Sequence, residues 1–257
     1  MIKLIRNFLL WISIAHGFLD LLFLDFDAYK ISLYLMTMNV FYLLYSTYRT
    51  LSVSLFFIMV MYHLSQDFLY IEDSKYMLLS GPLIISAVFG GKINFVINML
   101  NKIEISQENA LNILTFFNIT LGITFIVIFQ SLFKLESPFS FYLGLLSSAF
   151  TYIIILENNS PINCIIIFLA MFHSPLTIYR SYQIYKINLI YSTPFCMVCS
   201  LISLEMFYRF SNKHVIGAAG IIFSLLQTHI LFHYYINHLA FYFQSIASID
   251  CSGNSHQ

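Results

Sequence analysis

Charge is the scarcest commodity in this sequence. Only 9% of its 257 residues are Asp, Glu, Lys or Arg, where a water-soluble domain carries about 25%. The 12 basic and 12 acidic side chains cancel. No basic stripe exists to follow a phosphate backbone, so nothing points to a nucleic-acid partner. Cysteine is sparse as well: Cys164, Cys196, Cys199 and Cys251. Cys196 and Cys199 form a C-x-x-C inside an apolar run, and no second pair stands near enough to complete a zinc site. They read as small core residues. No lysine lies within the last apolar run, so the chain is not itself a retinal-carrying rhodopsin. Polyvalent oxygen ligation of the kind that holds calcium or magnesium is also missing.

What is abundant is apolar surface. Hydrophobic residues make up 59% of the chain, with 27 Phe and 18 Tyr. A folded chain in water cannot hide that much, so the expected solvent is lipid. A spanning helix needs about 20 mainly apolar residues. The sequence offers eight or nine such runs: Leu4–Leu24, Ile31–Tyr48, Leu51–Ile71, Tyr76–Met99, Ala110–Phe133, Phe139–Leu156, Ile162–Tyr179, Leu189–Phe210 and Val215–Phe243. The first follows Lys3 and Arg6 like a signal peptide, but its length and the lack of a small-residue cleavage site read as a retained helix.

Short connections between long apolar helices imply antiparallel neighbours in one bundle. The expected fold is therefore all-α: a polytopic membrane helix bundle, one domain over residues 1–249, multi-pass in the cell membrane. Residues 250–257 read as a disordered tail, and Asn101–Asn109 as an interfacial loop. Gly81-Pro82 and Gly90-Gly91 point to one irregular helix. Lys3, Arg6, Arg49, Lys92 and Lys102 fall on one side, which the positive-inside rule makes cytoplasmic; Arg180 and Lys186 fall on the other.

The informative residues are those that do not belong in hydrocarbon. An ionisable side chain there costs several kcal/mol unless it is paired or lines a cavity. His16 and Asp20 share the first run, His63 and Asp67 the third, and each pair has the spacing His-x-x-x-Asp. Positions i and i+4 lie on one helical face. Such a pair suits a metal site, where an imidazole ligates and a carboxylate accepts the proton on the far ring nitrogen. His173 lies on the seventh run, Glu205 on the eighth, and His229 and His233 on the last. The alternative for any one histidine is a simple hydrogen bond to a neighbouring helix. Several imidazoles converging in an apolar bundle suit iron, copper or zinc. His229-x-x-x-His233 can chelate a metal, or can belong to an interfacial belt with Tyr234, Tyr235 and Tyr242.

Three segments carry a family resemblance. Ala15-His16-Gly17-Phe18-Leu19-Asp20 resembles the His-Gly-x-x-Asp signature that opens the Brp/Blh family of membrane-bound β-carotene dioxygenases. Met61-Tyr62-His63-Leu64-Ser65-Gln66-Asp67 resembles its second histidine segment, and Phe172-His173-Ser174-Pro175 its third, His-Ser-Pro-x-His. The order, approximate spacing and helical architecture agree over nearly the whole chain.

The resemblance implies a non-haem Fe(II) held by His16, His63 and His173, with Asp20 and Asp67 orienting the imidazoles. It implies cleavage of the central double bond of β-carotene, or of a related carotenoid, with dioxygen to give two retinal molecules, and a functional link to a retinal-binding rhodopsin. One position departs from the pattern: the motif's second histidine falls at Thr177, and a hydroxyl is a much poorer iron ligand. Three histidines with water, a fourth ligand from His229 or His233, or a member with changed or lost activity are the open outcomes. A membrane di-iron desaturase fits less well, because it needs several clustered histidine boxes and only His229/His233 resembles one. A transporter or haem-binding membrane protein is the non-enzymatic alternative.

Overall fold

The computed structural model describes residues 27–71, 78–90, 92–133, 165–166, 168–185, 198–199 and 215–252. These residues are helical, with no strand among them. Seven α-helices organise them: α1 (Ala28–Thr47), α2 (Arg49–Ile71), α3 (Ser80–Gly90), α4 (Ile93–Lys102), α5 (Gln107–Phe133), α6 (Ser174–Tyr185) and α7 (Val215–Ser252). A five-residue π-helix, Leu169–His173, leads into α6.

Local chemistry explains the ends. Asp27 caps α1 by accepting from the Lys30 amide at 2.9 Å, satisfying one of the donors a helix start leaves open. Tyr48 breaks the α1–α2 run, its amide still bonded to the Leu44 carbonyl. The helix expected over Tyr76–Met99 is not continuous. It is split into α3 and α4, which meet at 89°, and the break falls where Gly90-Gly91 has least helix propensity. Further on, Glu104 closes α4 with φ of 60°, and the Ile105 amide reaches back to the Leu100 carbonyl. That is a Schellman closure carried by a non-glycine residue. The stretch expected as an interfacial loop is thus mostly helix end and helix start. At the other end of the chain, α7 continues to Ser252, past the start of the segment expected as a tail.

The core sits between α2, α3, α4 and α5. Val53, Phe57, Met61 and Leu64 recur at helical spacing on α2, and meet Ile85, Val88 and Phe89 of α3 and Ala110, Ile113, Leu114 and Phe117 of α5. At its centre the rings of Phe57, Phe89 and Phe117 pack with centres 4.9–5.7 Å apart. The α2–α3 contact is close because residue 81 has no side chain. A Cβ there would fall 1.7 Å from the Met61 carbonyl oxygen, and the Gly81 amide donates to Ser65 Oγ at 3.0 Å. At one end of the bundle Arg49 ties two corners together. Its guanidinium donates to Glu104 Oε2 at 2.7 Å and to the Ile103 carbonyl at 3.1 Å.

Against this core lies α7, which α1 and α2 straddle. α1 runs antiparallel to it, with Tyr34 against Phe232 and Tyr45 against Phe223. α2 crosses it, with Ser52 against Gln227, Phe56 against Phe223 and Tyr62 against Tyr234. The polarity of α7 is the reverse of a soluble helix. Its buried face carries Ser224, Gln227, Thr228, His229 and His233, while Ile221, Leu225, Leu226 and Leu231 are exposed. Ile216–Tyr234 is the one stretch, among the described residues, long and apolar enough by itself to cross a membrane; α3 with α4, taken as one bent span, would be a second.

The Gly81 contact yields a paired test. Gly81→Ala should lower unfolding stability by about 1–3 kcal/mol, the usual cost of overpacking. Gly122→Ala, where nothing lies within 4 Å of the added carbon, should be neutral or stabilising by up to about 1 kcal/mol. Thermal unfolding of both purified variants measures the difference, and equal effects would contradict the packing described.

Candidate functional site

Four of the imidazoles noted in the sequence come together. His63 of α2 packs its ring against His173 at the end of the π-helix, with centres 4.8 Å apart. It also meets His229 and His233 of α7 at 5.6 and 5.4 Å. His229 and His233 are 4.6 Å apart, one turn from each other on α7. All four are buried, none more than 7% exposed. Residues far apart in the chain thus form one cluster at the junction of three helical segments.

Each segment has a local reason for its geometry. On α2, His63 lies two residues before Ser65, whose hydroxyl contacts the Met61 and Leu78 carbonyls at 2.9 and 2.8 Å and receives the Gly81 amide. That junction fixes the α2 backbone beside His63. His173 owes its position to the π-turn, in which the Ser174 amide bonds to the Leu169 carbonyl. Pro175 accounts for the turn: it has no amide to donate to residue 171, and its ring would collide with that carbonyl in an α-helix. Widening the helix by one residue removes the conflict and re-aims the next turn of the chain, and such π-bulges recur at functional sites.

The third segment is held by Gln227, which is completely buried two residues before His229. Its amide donates to the Ser52 carbonyl at 3.0 Å, and its oxygen lies 3.5 Å from Ser52 Oγ. This side-chain clamp locks α7 against α2. Below it Thr228 and Ser224 donate to the carbonyls of Ser224 and Gly220, so these two buried hydroxyls are satisfied along the helix itself.

Of the site residues expected from sequence, His63 and His173 are brought into contact, and His229 and His233 join them. His16 and Asp20 lie outside the described residues. Asp67 lies on α2 one turn beyond His63, and the role expected of its carboxylate rests on a side chain outside the described set. Thr177 is buried, 3% exposed, one turn after His173. Cys199 is not in a disulfide; Cys196 lies outside the described residues. Gln227 and Ser52 were not singled out from sequence, although a lone Gln in the apolar run before His229 is a readable signal.

The donor set is one that suits a first-row transition metal: imidazoles, no thiolate, and an apolar surround. The ring spacing also suits it. Two imidazoles bound to one metal at about 2.1 Å hold their centres roughly 4.6 Å apart at a right angle and roughly 5.3 Å apart at a tetrahedral one. The separations between His63 and its three neighbours, and within the α7 pair, span 4.6–5.6 Å. As the rings are oriented, however, no three His, Cys, Asp or Glu side chains among the described residues stand ready to hold a metal ion. The donor type fits, as do these four separations; aiming the nitrogens at one point requires rotation about side-chain bonds, which staggered rotamers permit.

No family model, no curated protein and no solved structure matches this chain.

The clamp at Gln227 is open to a direct test. Gln227→Leu leaves the Ser52 carbonyl without that donor and should cost about 1–3 kcal/mol. Ser52→Ala keeps the carbonyl bond and should cost less. Chemical denaturation of the two variants gives the order, and a Ser52→Ala protein weaker than Gln227→Leu would contradict the assignment.

Proposed function

We propose that this protein is a multi-pass integral membrane enzyme, a non-haem iron oxygenase that cleaves β-carotene or a related carotenoid at its central double bond to retinal. The observation that carries the proposal is the contact between His63 and His173. These are the histidines of the second and third segments that resemble the Brp/Blh family, and their rings lie 4.8 Å apart in the buried interior.

The membrane setting is supported by what the helices expose. Leu33, Met36, Val40 and Leu43 of α1, and Ile119, Ile123 and Ile126 of α5, are all 46–66% exposed. Polar side chains on the same outer faces bond to their own helix backbone: Thr37 to Leu33, Asn39 to Leu35, and Thr115 to Leu111. Such back-bonding is what satisfies a hydroxyl or amide that faces hydrocarbon. By length and composition together Ile216–Tyr234 of α7 can cross a bilayer, which takes roughly 20 mainly apolar residues. The eight or nine spans of the sequence belong to the same proposal.

In this reading His63 and His173 hold Fe(II), together with His16 of the first segment, and Asp20 and Asp67 fix the imidazole tautomers. Bound ferrous iron supplies the activation of dioxygen. The rest is done by the chain. Its apolar exterior gives a lipid-dissolved polyene access from the bilayer. Its aromatic side chains offer flat surfaces for a conjugated chain, and its packed interior keeps water from the reacting bond. A haem-binding alternative is disfavoured by the same contact. Two imidazoles on opposite sides of one iron hold their centres roughly 6.5 Å apart, well beyond the 4.8 Å of His63 and His173.

Expression in a β-carotene-accumulating bacterium tests the reading. The wild-type chain should bleach the cells and yield retinal, while His63→Ala and His173→Ala should leave the pigment intact. Persistent yellow colour with no retinal from well-expressed wild-type protein would refute it.

A further inference from the structure

We infer that the last helix supplies two metal ligands, His229 and His233, and that this pair takes the place of the chelating pair that Thr177 removes from α6. The inference rests on the proposed iron site and deepens it: it adds α7 to the segments that supply ligands.

Four observations carry it. First, His229 and His233 are an i, i+4 pair on one buried face of α7, the arrangement by which a single helix chelates a metal. Second, their ring centres are 4.6 Å apart, roughly the spacing of two imidazoles bound at right angles to one ion. Third, both rings meet His63, which in turn meets His173. His63 is therefore the common neighbour of every other imidazole in the cluster. Fourth, α7 is held in this register by a device that does not involve the imidazoles, the Gln227 clamp onto the Ser52 carbonyl.

The interfacial-belt alternative for these two histidines fails on position. A belt residue reaches the headgroup level, but His229 and His233 are 5% and 7% exposed and face the interior, while Tyr234 beside them is 38% exposed. α6 offers the contrary picture. Thr177 is buried on the turn after His173 and brings a hydroxyl where an imidazole would be needed. The helical chelate is thus assigned to α7 and not to α6. The centre retains an imidazole-rich donor set, with ligands drawn from helices distant in sequence.

The test uses the full-length protein and Fe(II) alone, without carotenoid. Chelator-stripped wild-type protein is titrated anaerobically with Fe(II), desalted, and its iron counted by elemental mass spectrometry. His229→Gln/His233→Gln, which keeps both positions polar, should bind iron at least tenfold more weakly, the scale on which site partners act. Iron affinity equal to wild type in the double variant overturns the inference, as does a wild-type chain that retains no iron.

A second measurement needs no variant. Iron-loaded wild-type protein exposed to ascorbate and dioxygen suffers metal-catalysed oxidation at its ligands, and peptide mass mapping should find 2-oxohistidine at His229 and His233. Oxidation confined to other histidines overturns the inference even if the variants fail to fold. Retinal yield enters neither measurement. A protein that binds iron through α7 yet makes no retinal would therefore sink the proposed activity and leave this inference standing.

Discussion

Satisfying polar groups where water does not reach is the constraint on which this structure depends. Large apolar side chains are exposed on α1, α5 and α7, and polar side chains are found in two settings. On the outside, Thr37, Asn39 and Thr115 fold back onto their own helices. On the inside, Ser52, Ser65, Ser224, Gln227 and Thr228 bond between helices or along one. Each interhelical bond of this second kind fixes a register. Gln227 sets α7 against α2, and Ser65 with Gly81 sets α3 against α2. The imidazole cluster lies near both, so the hydrogen bonds that hold the bundle together also position its histidines.

The π-turn adds the third element. A proline one position beyond Ser174 would disrupt an ordinary helix, and here it is accommodated by a wider turn that ends on His173. The motif His-Ser-Pro therefore has a mechanical meaning apart from any likeness to other proteins. The proline forces the turn, the Ser174 amide closes it, and the histidine is delivered to its place against His63. Thr177, one turn on, is then buried without adding a second nitrogen from the same helix.

Much of this was legible in the sequence. Ionisable residues stranded in apolar runs pointed to His63, His173, His229 and His233, because burial of such groups demands a shared interior. Gly90-Gly91 marked the helix break for a simple reason of propensity. The α4–α5 corner was partly legible: the turn over residues 103–106 lies inside the polar stretch read as loop, and only the ends of that stretch belong to helices. The partner of Gln227 could not be read, since pairing between helices so distant in sequence depends on tertiary packing. Of the two places open to His229 and His233 in the sequence, an interior face or an interfacial belt, burial selects the interior, which periodicity alone does not reveal. His16 and Asp20 lie outside the described residues, and the first of the three resembling segments rests on sequence.

The central claim is that imidazoles from separate helices surround one metal in the interior of a membrane bundle. X-ray absorption at the iron edge of the loaded, detergent-solubilised protein addresses it most directly. The account predicts a nitrogen shell at about 2.1 Å with the outer-shell scattering of at least three imidazole rings and no sulfur. A spectrum showing a single imidazole, a thiolate, or oxygen ligands alone would contradict it.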